Sequence, residues 1–127
     1  MRLSPAAVRR LFTWSAIYGL LVLVPHYFLE RRIGLDYPPA ITHPEHFYGF
    51  VGTALAWQAA FLIIARDPAR HRLLMLPAAL EKLLFLGACV VLAAQGRIPG
   101  PLMAFAGLDG LLGSLFLWAF LSTEAGT

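Results

Sequence analysis

The chain alternates between long apolar stretches and short polar segments. A bilayer core about 30 Å thick takes about 20 helical residues to cross. Four stretches reach that length: Phe12–Leu29, Phe47–Ala65, Leu73–Ala94 and Pro101–Leu121. Backbone groups in lipid must be hydrogen-bonded within the protein, and these runs are too long and too evenly apolar for the strands of a β-barrel. The pattern therefore predicts an all-α protein, a bundle of four transmembrane helices.

The polar segments between the spans are short, so we expect consecutive spans to pack as two helical hairpins. Arg66–Arg72 joins the second and third spans, and Gln95–Gly100 joins the third and fourth. The longest segment, Glu30–His46, is predicted to be a loop. Residues 1–127 then form a single membrane domain, with little chain left for a soluble one.

The composition favours a membrane protein over a soluble one. Of 127 residues, 59% are hydrophobic and 13% are charged, whereas soluble domains carry about 25% charged residues. The single cysteine, Cys89, excludes a disulfide scaffold within the chain. The net charge of +3 comes from basic residues that flank the spans, so it does not indicate nucleic-acid binding.

Basic residues are distributed unequally between the two sides of the predicted bundle. The N-terminal segment and the second connection carry six, and the first and third connections carry three. By the positive-inside rule, this bias places both termini in the cytoplasm, which agrees with an even number of spans. We therefore expect a multi-pass protein of a bacterial inner (cytoplasmic) membrane.

The end of the first connection has two interpretations. Thr42 and Glu45 have the spacing of a capping box, and Pro44 suits the first turn of a helix. Three side chains of this segment are also metal-ligand types: His43, Glu45 and His46. With His26 or Asp36 they could complete the shell of a divalent metal. Because their spacing matches no recognised zinc pattern, the capping box is preferred, and no metal or cofactor is predicted.

Two further signals concern helix ends near the third span. Asp67 followed by Pro68 has the pattern of an N-cap with proline at the first helical position. Pro77 either kinks the third span or marks where an interfacial turn gives way to the membrane-spanning helix.

Ionisable residues lie inside the apolar runs, with Glu81 and Lys82 in the third span and Asp109 in the fourth. Insertion of Lys or Asp at a helix centre costs ~2.5–3.5 kcal/mol, so these residues need partners inside the bundle. The helical rise places Lys82 ~18 Å from Gln95 and Asp109 ~12 Å from Pro101, a difference that a lysine side chain can span. We therefore predict a Lys82–Asp109 ion pair.

Glu81 points about 100° away from Lys82 around the helix. It should face the first or second span, with Gln58 or His26 as its partner. Trp57 either lines the same site or packs in the core. Three interpretations of the charged residues are open. They stabilise the packing of the bundle, or they form a functional polar site. The third interpretation, for Glu81 and Lys82 alone, is that their side chains snorkel to the cytoplasmic surface. The candidate ligand site comprises His26, Trp57, Gln58, Glu81, Lys82 and Asp109.

Small residues recur at four-residue spacing on two spans, which allows helix backbones to approach closely. The stripes are Gly49, Gly52, Ala56 and Ala60 on the second span, and Ala106, Gly110 and Ser114, beside Gly107 and Gly113, on the fourth. Packing within the chain is the preferred interpretation, and homodimerisation is the alternative.

Several segments resemble a family of small four-helix bacterial inner-membrane proteins with no assigned activity. The similar segments are His43–Phe50, Ala56–Gln58, Arg66–Pro68 and Leu80–Leu83. In size and hairpin layout the chain is similar, more distantly, to DoxX-like proteins and to the EXPERA group. In EXPERA proteins, intramembrane acidic residues and a tryptophan serve a pocket for sterol-like ligands. Because Glu81, Asp109 and Trp57 do not align with those positions, the resemblance implies no catalytic role for them.

The leading functional hypothesis is binding of a lipid or another apolar small molecule at the intramembrane polar site. The alternatives are a structural or accessory subunit of a membrane complex, a lipid isomerase-like enzyme with Glu81 as proton donor, and proton transport. A single four-helix unit leaves little room for transport. No nucleophile–base pair, phosphate loop or zinc spacing is present, so soluble-type catalysis finds no support in the sequence. The expected partners are a membrane lipid or apolar molecule, with a homo-oligomer or a membrane-complex protein as options and no nucleic acid.

Overall fold

The computed structural model describes residues 1–126, and all its regular secondary structure over that range is helical. The helices are α1 (Pro5–Leu23), α2 (Glu30–Asp36), α3 (Pro44–Arg66), α4 (Met75–Ala94) and α5 (Gly100–Ser122). Short 3₁₀ turns follow α1 at Val24–Phe28 and precede α4 at Arg72–Leu74. Four helices, α1, α3, α4 and α5, are long and apolar enough to cross a membrane. The predicted all-α, four-span architecture is confirmed.

Local sequence signals explain where the long helices begin. Ser4 caps α1, since its Oγ accepts a hydrogen bond from the amide of Ala7 at 3.1 Å, and Pro5 occupies the first helical position. Pro44 and Pro101 lie in the first turns of α3 and α5, where the missing amide proton breaks no helical hydrogen bond. As a result, α1 begins about two turns before the apolar run that predicted it.

Two predicted helix caps are wrong. No side chain caps α3 within the described chain, so the Thr42–Glu45 capping box does not form. The His43 ring competes for the same carboxylate, and its Nδ1 lies 3.2 Å from Glu45 Oε1. Asp67 caps a turn and not a helix: its Oδ1 accepts a hydrogen bond from the amide of Arg70 at 3.1 Å, and α4 begins further along the chain.

The segment between the first two spans, predicted to be a loop, contains the short helix α2. An ion pair at i,i+4 spacing joins Arg32 Nε to Asp36 Oδ2 at 2.9 Å. Tyr48 Oη donates to Glu30 Oε2 at 2.7 Å, which attaches α2 to the beginning of α3. A helix this short is marginal by itself, so its stability comes from such tertiary contacts, which the local sequence pattern does not reveal.

The long helices form two hairpins, with α1 packed against α3 and α4 packed against α5. Trp118 Nε1 donates to the carbonyl of Met1 at 3.3 Å, and the amide of Gly126 bonds the carbonyl of Ala69 at 3.4 Å. Both ends of the described chain and the α3–α4 connection therefore lie at one end of the bundle, called here the terminus end. Helix α2 and the α4–α5 turn lie at the opposite end, called here the α2 end.

The packed core lies near the terminus end. Its centre is three fully buried rings, with centroids 4.4 Å apart for Phe12 and Phe116 and 5.0 Å apart for Phe61 and Phe116. Residues of all four long helices surround them: Val8, Ala16, Ile64, Met75, Ala78, Ala79 and Ala119. Towards the α2 end the two hairpins separate, and a cavity lies between them.

Helices α4 and α5 approach each other closely at two glycines. A Cβ atom on Gly110 would lie 2.5 Å from Leu86 Cδ2, and one on Gly113 would lie 3.0 Å from Leu83 Cγ. Gly107, on the same helix, has open space at that position. Three small residues of α5 are buried and serve packing within the chain, as predicted: Ala106, Gly110 and Gly113. Gly107 and Ser114 are exposed, and the small residues of the α3 stripe are at least partly exposed.

Candidate ligand site between the hairpins

A buried ion pair joins α4 to α5. Lys82 Nζ donates to Asp109 Oδ1 at 3.1 Å, and the two side chains are only 8% and 14% exposed. The predicted pair is therefore present, and Lys82 does not snorkel to the surface. An isolated charge in a membrane is costly, and the pairing of Lys82 with Asp109 avoids that cost for both side chains.

Glu81 lies beside this pair, and one of its oxygens has no hydrogen-bond partner. Its Oε2 is 3.7 Å from Lys82 Nζ, beyond hydrogen-bonding distance, and is buried without a partner in residues 1–126. The expectation that Gln58 or His26 would bond Glu81 is wrong. Gln58 instead bonds the backbone carbonyl of Ala54. His26 bonds the backbone carbonyl of Val22.

Gln58 is held against α1 in a fixed orientation. It is 1% exposed, and its Nε2 donates to the carbonyl of Ala54 at 2.9 Å. Its Oε1 accepts no hydrogen bond from any described residue. A Cβ atom on Gly19 would overlap this amide, so the close approach requires glycine at that position. The Gln58 amide is thus held in one orientation, and its carbonyl oxygen is not hydrogen-bonded within the described chain.

The ring of His26 is bonded to the backbone of α1. Its Nδ1 lies 2.6 Å from the carbonyl oxygen of Val22. Because a carbonyl only accepts, Nδ1 carries a proton and donates it to this bond. The 3₁₀ turn that follows α1 places this ring near the α2 end of the bundle.

These polar groups line one cavity of about 420 Å³ between the two hairpins. Small-molecule sites commonly measure about 300–1,000 Å³ and have mostly apolar walls with a few converging polar groups. This cavity fits that description, since aromatic and aliphatic side chains of α1, α3, α4 and α5 make up most of its wall. Its polar groups are Tyr18, His26, Tyr37, Gln58, Glu81, Lys82 and Asp109.

The cavity occupies the half of the bundle nearer the α2 end. Ile33 of α2 and Tyr37, which follows α2, belong to its lining. At the other end of the cavity, Lys82 Nζ lies 5.8 Å from the centroid of the Phe61 ring, which is part of the packed core. The aromatic core therefore closes the cavity towards the terminus end, and the charged groups lie at this closed end.

Trp57 is not part of the cavity lining. Its ring packs against the core, 6.4 Å from the centroid of Phe61. Adjacent helical residues point about 100° apart, so Gln58 reaches the cavity and Trp57 does not. The structure thus brings together five of the six predicted site residues. Sequence reasoning missed Tyr18, Gly19 and Tyr37, because nothing in the local sequence distinguishes them from ordinary packing or interfacial residues.

At the α2 end, three metal-ligand side chains lie together on the surface. The ligand atoms of His43, Glu45 and His46 are within 4.8 Å of one another, and all three side chains are exposed. His26 and Asp36 do not join them, since His26 bonds its own backbone and Asp36 pairs within α2. An exposed cluster of this kind is common without a metal and carries no assignment.

No protein-family model, curated protein or solved structure matches this chain. Any conclusion about function therefore depends on the cavity and its side chains.

Proposed function

We propose that the protein binds a lipid or another apolar small molecule in the cavity between its two hairpins. The observation that carries the proposal is the position of Glu81, Lys82 and Asp109 together at the closed end of a cavity whose wall is mostly apolar. An apolar body would fill the space between the helices, and the charged side chains would orient its polar end.

The energetics of the bundle support a binding role over a purely structural one. Interhelical polar contacts in membranes contribute modestly, on average well under ~1–2 kcal/mol, so bundle stability alone gives little reason for three ionisable groups. Intramembrane ionisable groups are costly to insert and typically mark functional sites. Here they adjoin a cavity, where a ligand can use them.

We further propose that the protein resides in a bacterial inner membrane with its terminus end in the cytoplasm. The bias of six basic residues against three supports this orientation. The cavity then lies in the half of the bundle that faces away from the cytoplasm.

Native mass spectrometry of the full chain, released from its own membrane in mild detergent, tests the binding proposal. Ala54→Phe places a large side chain in the cavity, because Ala54 is buried and lines it. Ala56→Phe is the matched control, since Ala56 lies on the same helix and is exposed. We expect a defined small-molecule mass on the wild type and on Ala56→Phe, and its loss from Ala54→Phe.

A bare wild-type monomer, or equal retention of the mass by Ala54→Phe, would contradict the proposal. A complex with another polypeptide and no small molecule would instead favour the subunit alternative. Circular dichroism of both variants confirms that they remain helical, so that loss of the mass is not mistaken for misfolding.

A further inference from the structure

Resting on the proposed binding function, we infer that the polar end of the ligand is a hydrogen-bond donor, a hydroxyl or an amine, and not a carboxylic acid. The inference comes from an imbalance in the cavity. Its polar side chains offer many acceptors, and the single ammonium group among them is already shared.

Two acceptors of the lining lack a hydrogen-bond donor. Gln58 Oε1 and Glu81 Oε2 are buried and have no partner within the described chain. A buried acceptor without a partner costs free energy that a donor can recover. Gln58 Oε1 is packed against Gly19 of α1, whereas the Glu81 side chain keeps part of its surface accessible. Glu81 is therefore the group to which a ligand with N–H or O–H groups can donate.

The one ammonium group lies between two carboxyl groups. Lys82 Nζ is 3.1 Å from Asp109 Oδ1 and 3.7 Å from Glu81 Oε2. At this end of the cavity, two carboxyl groups therefore share one ammonium group. A carboxylate ligand would compete with Asp109 for Lys82 and would be repelled by Glu81. A ligand ammonium would instead give Glu81 the partner that it lacks.

The remaining polar groups do not reverse this preference. Tyr18 and Tyr37 line the cavity, and a phenol hydroxyl both donates and accepts, so it does not discriminate between ligand types. Glu81 keeps 19% of its side-chain surface accessible, so a ligand can approach its carboxyl group. The apolar wall requires the rest of the ligand to be hydrocarbon. The ligand class is thus an apolar molecule that ends in a hydroxyl or an amino group.

Four compounds with the same sixteen-carbon chain test the inference: hexadecan-1-ol, hexadecylamine, palmitic acid and methyl palmitate. The purified full chain is mixed with each at equal concentration in a neutral detergent at pH 7, and the bound fraction is measured by native mass spectrometry. We expect the alcohol and the amine to bind about tenfold more tightly than the ester and the acid, because the first two donate to the Glu81 carboxyl group, the ester has no donor, and a carboxylate is repelled.

Glu81→Gln removes the carboxyl group while keeping the size of the side chain. We expect the affinity for hexadecylamine to fall about tenfold more than the affinity for hexadecan-1-ol, because only the amine loses an ion pair. Glu124→Gln is the matched control, since Glu124 is exposed at the terminus end, outside the cavity. If Glu81→Gln does not fold, the comparison of the four compounds on the wild type still tests the inference.

The outcomes separate this inference from the function on which it rests. Tightest binding of palmitic acid, or equal binding of the ester and the alcohol, overturns the inference but leaves cavity binding intact. An endogenous molecule on the wild type together with no binding of the alcohol or the amine also overturns it. If no compound binds and the wild type carries no endogenous mass, the proposed function itself fails.

Discussion

Gly19 of α1 lies directly against the side-chain amide of Gln58 in α3, at the wall of the cavity. The Gln58 amide occupies the space that a side chain at position 19 would need. The orientation of a buried polar group in the cavity therefore depends on a residue in the neighbouring helix. Packing between α1 and α3 and the chemistry of the site are linked at this contact.

Gly19→Ala should destabilise the protein, because the added methyl group displaces the Gln58 amide from its bond to Ala54. Overpacking of a filled site costs about 1–3 kcal/mol. The measurement is the free energy of unfolding in mixed detergent micelles. Gly107→Ala is the control, since a Cβ atom there meets open space.

The double variant Gly19→Ala/Gln58→Ala identifies the cause. If the methyl group acts by displacing the amide, the two substitutions should be strongly non-additive, and the pair should be more stable than the sum of the single losses predicts. Strict additivity would contradict this account of the contact.

Lys82→Met should destabilise the bundle, because it leaves Asp109 without its hydrogen-bond partner. We expect a loss of about 1–2 kcal/mol, more than the average for an interhelical polar contact, because the Asp109 carboxyl group is left buried and unpaired. Adding Asp109→Asn should restore part of the stability, because the second substitution removes the isolated charge. Unfolding of both variants in mixed micelles measures the two effects.

Arg2→Met is the comparison for this pair. Arg2 bonds Glu124 at 2.8 Å, but the side chains are 68% and 86% exposed, so loss of this contact should have little effect. Equal losses for Lys82→Met and Arg2→Met would mean that burial does not strengthen the Lys82–Asp109 pair.

Gly110→Leu should disrupt the hairpin of α4 and α5, because a side chain there collides with Leu86. We expect a loss of about 1–3 kcal/mol in unfolding free energy, whereas Gly107→Leu on the same helix should be tolerated. Unchanged stability of Gly110→Leu, together with loss of a co-purifying protein, would mean that this glycine faces a partner and not α4.

Cysteine labelling tests the orientation in the membrane. Thr42→Cys and Ala125→Cys lie near opposite ends of the bundle and are exposed. Both are made in a Cys89→Ala background, which removes the native thiol. In intact cells, a membrane-impermeant maleimide should label position 42 and leave position 125 unlabelled until the membrane is permeabilised. The reverse pattern would show that the bundle has the opposite orientation.

The sequence alone predicts the long helices and the Lys82–Asp109 pair for physical reasons. A bilayer fixes the length of each span, and the short α4–α5 turn fixes the relative depth of residues on the two helices. The cost of an isolated charge in lipid then favours pairing Lys82 with Asp109. These constraints act on residue positions and need no knowledge of side-chain packing.

The rest of the site depends on packing. Gln58 and His26 each bond a backbone carbonyl four residues earlier, a local alternative that competes with the predicted bonds to Glu81. The cavity exists because the hairpins separate towards the α2 end. The sequences of nearly uniformly apolar helices do not show where two hairpins separate. Helix α2 depends on the contact of Tyr48 with Glu30, which joins residues that a sequence pattern treats separately.

The aromatic core and the cavity occupy opposite halves of the bundle. With the terminus end in the cytoplasm, the core lies at the depth of the inner leaflet and the cavity at the depth of the outer leaflet. In the proposed orientation, a molecule that enters the cavity from the bilayer would come from the outer leaflet. The composition of that leaflet, and not the average composition of the membrane, would determine what the protein carries.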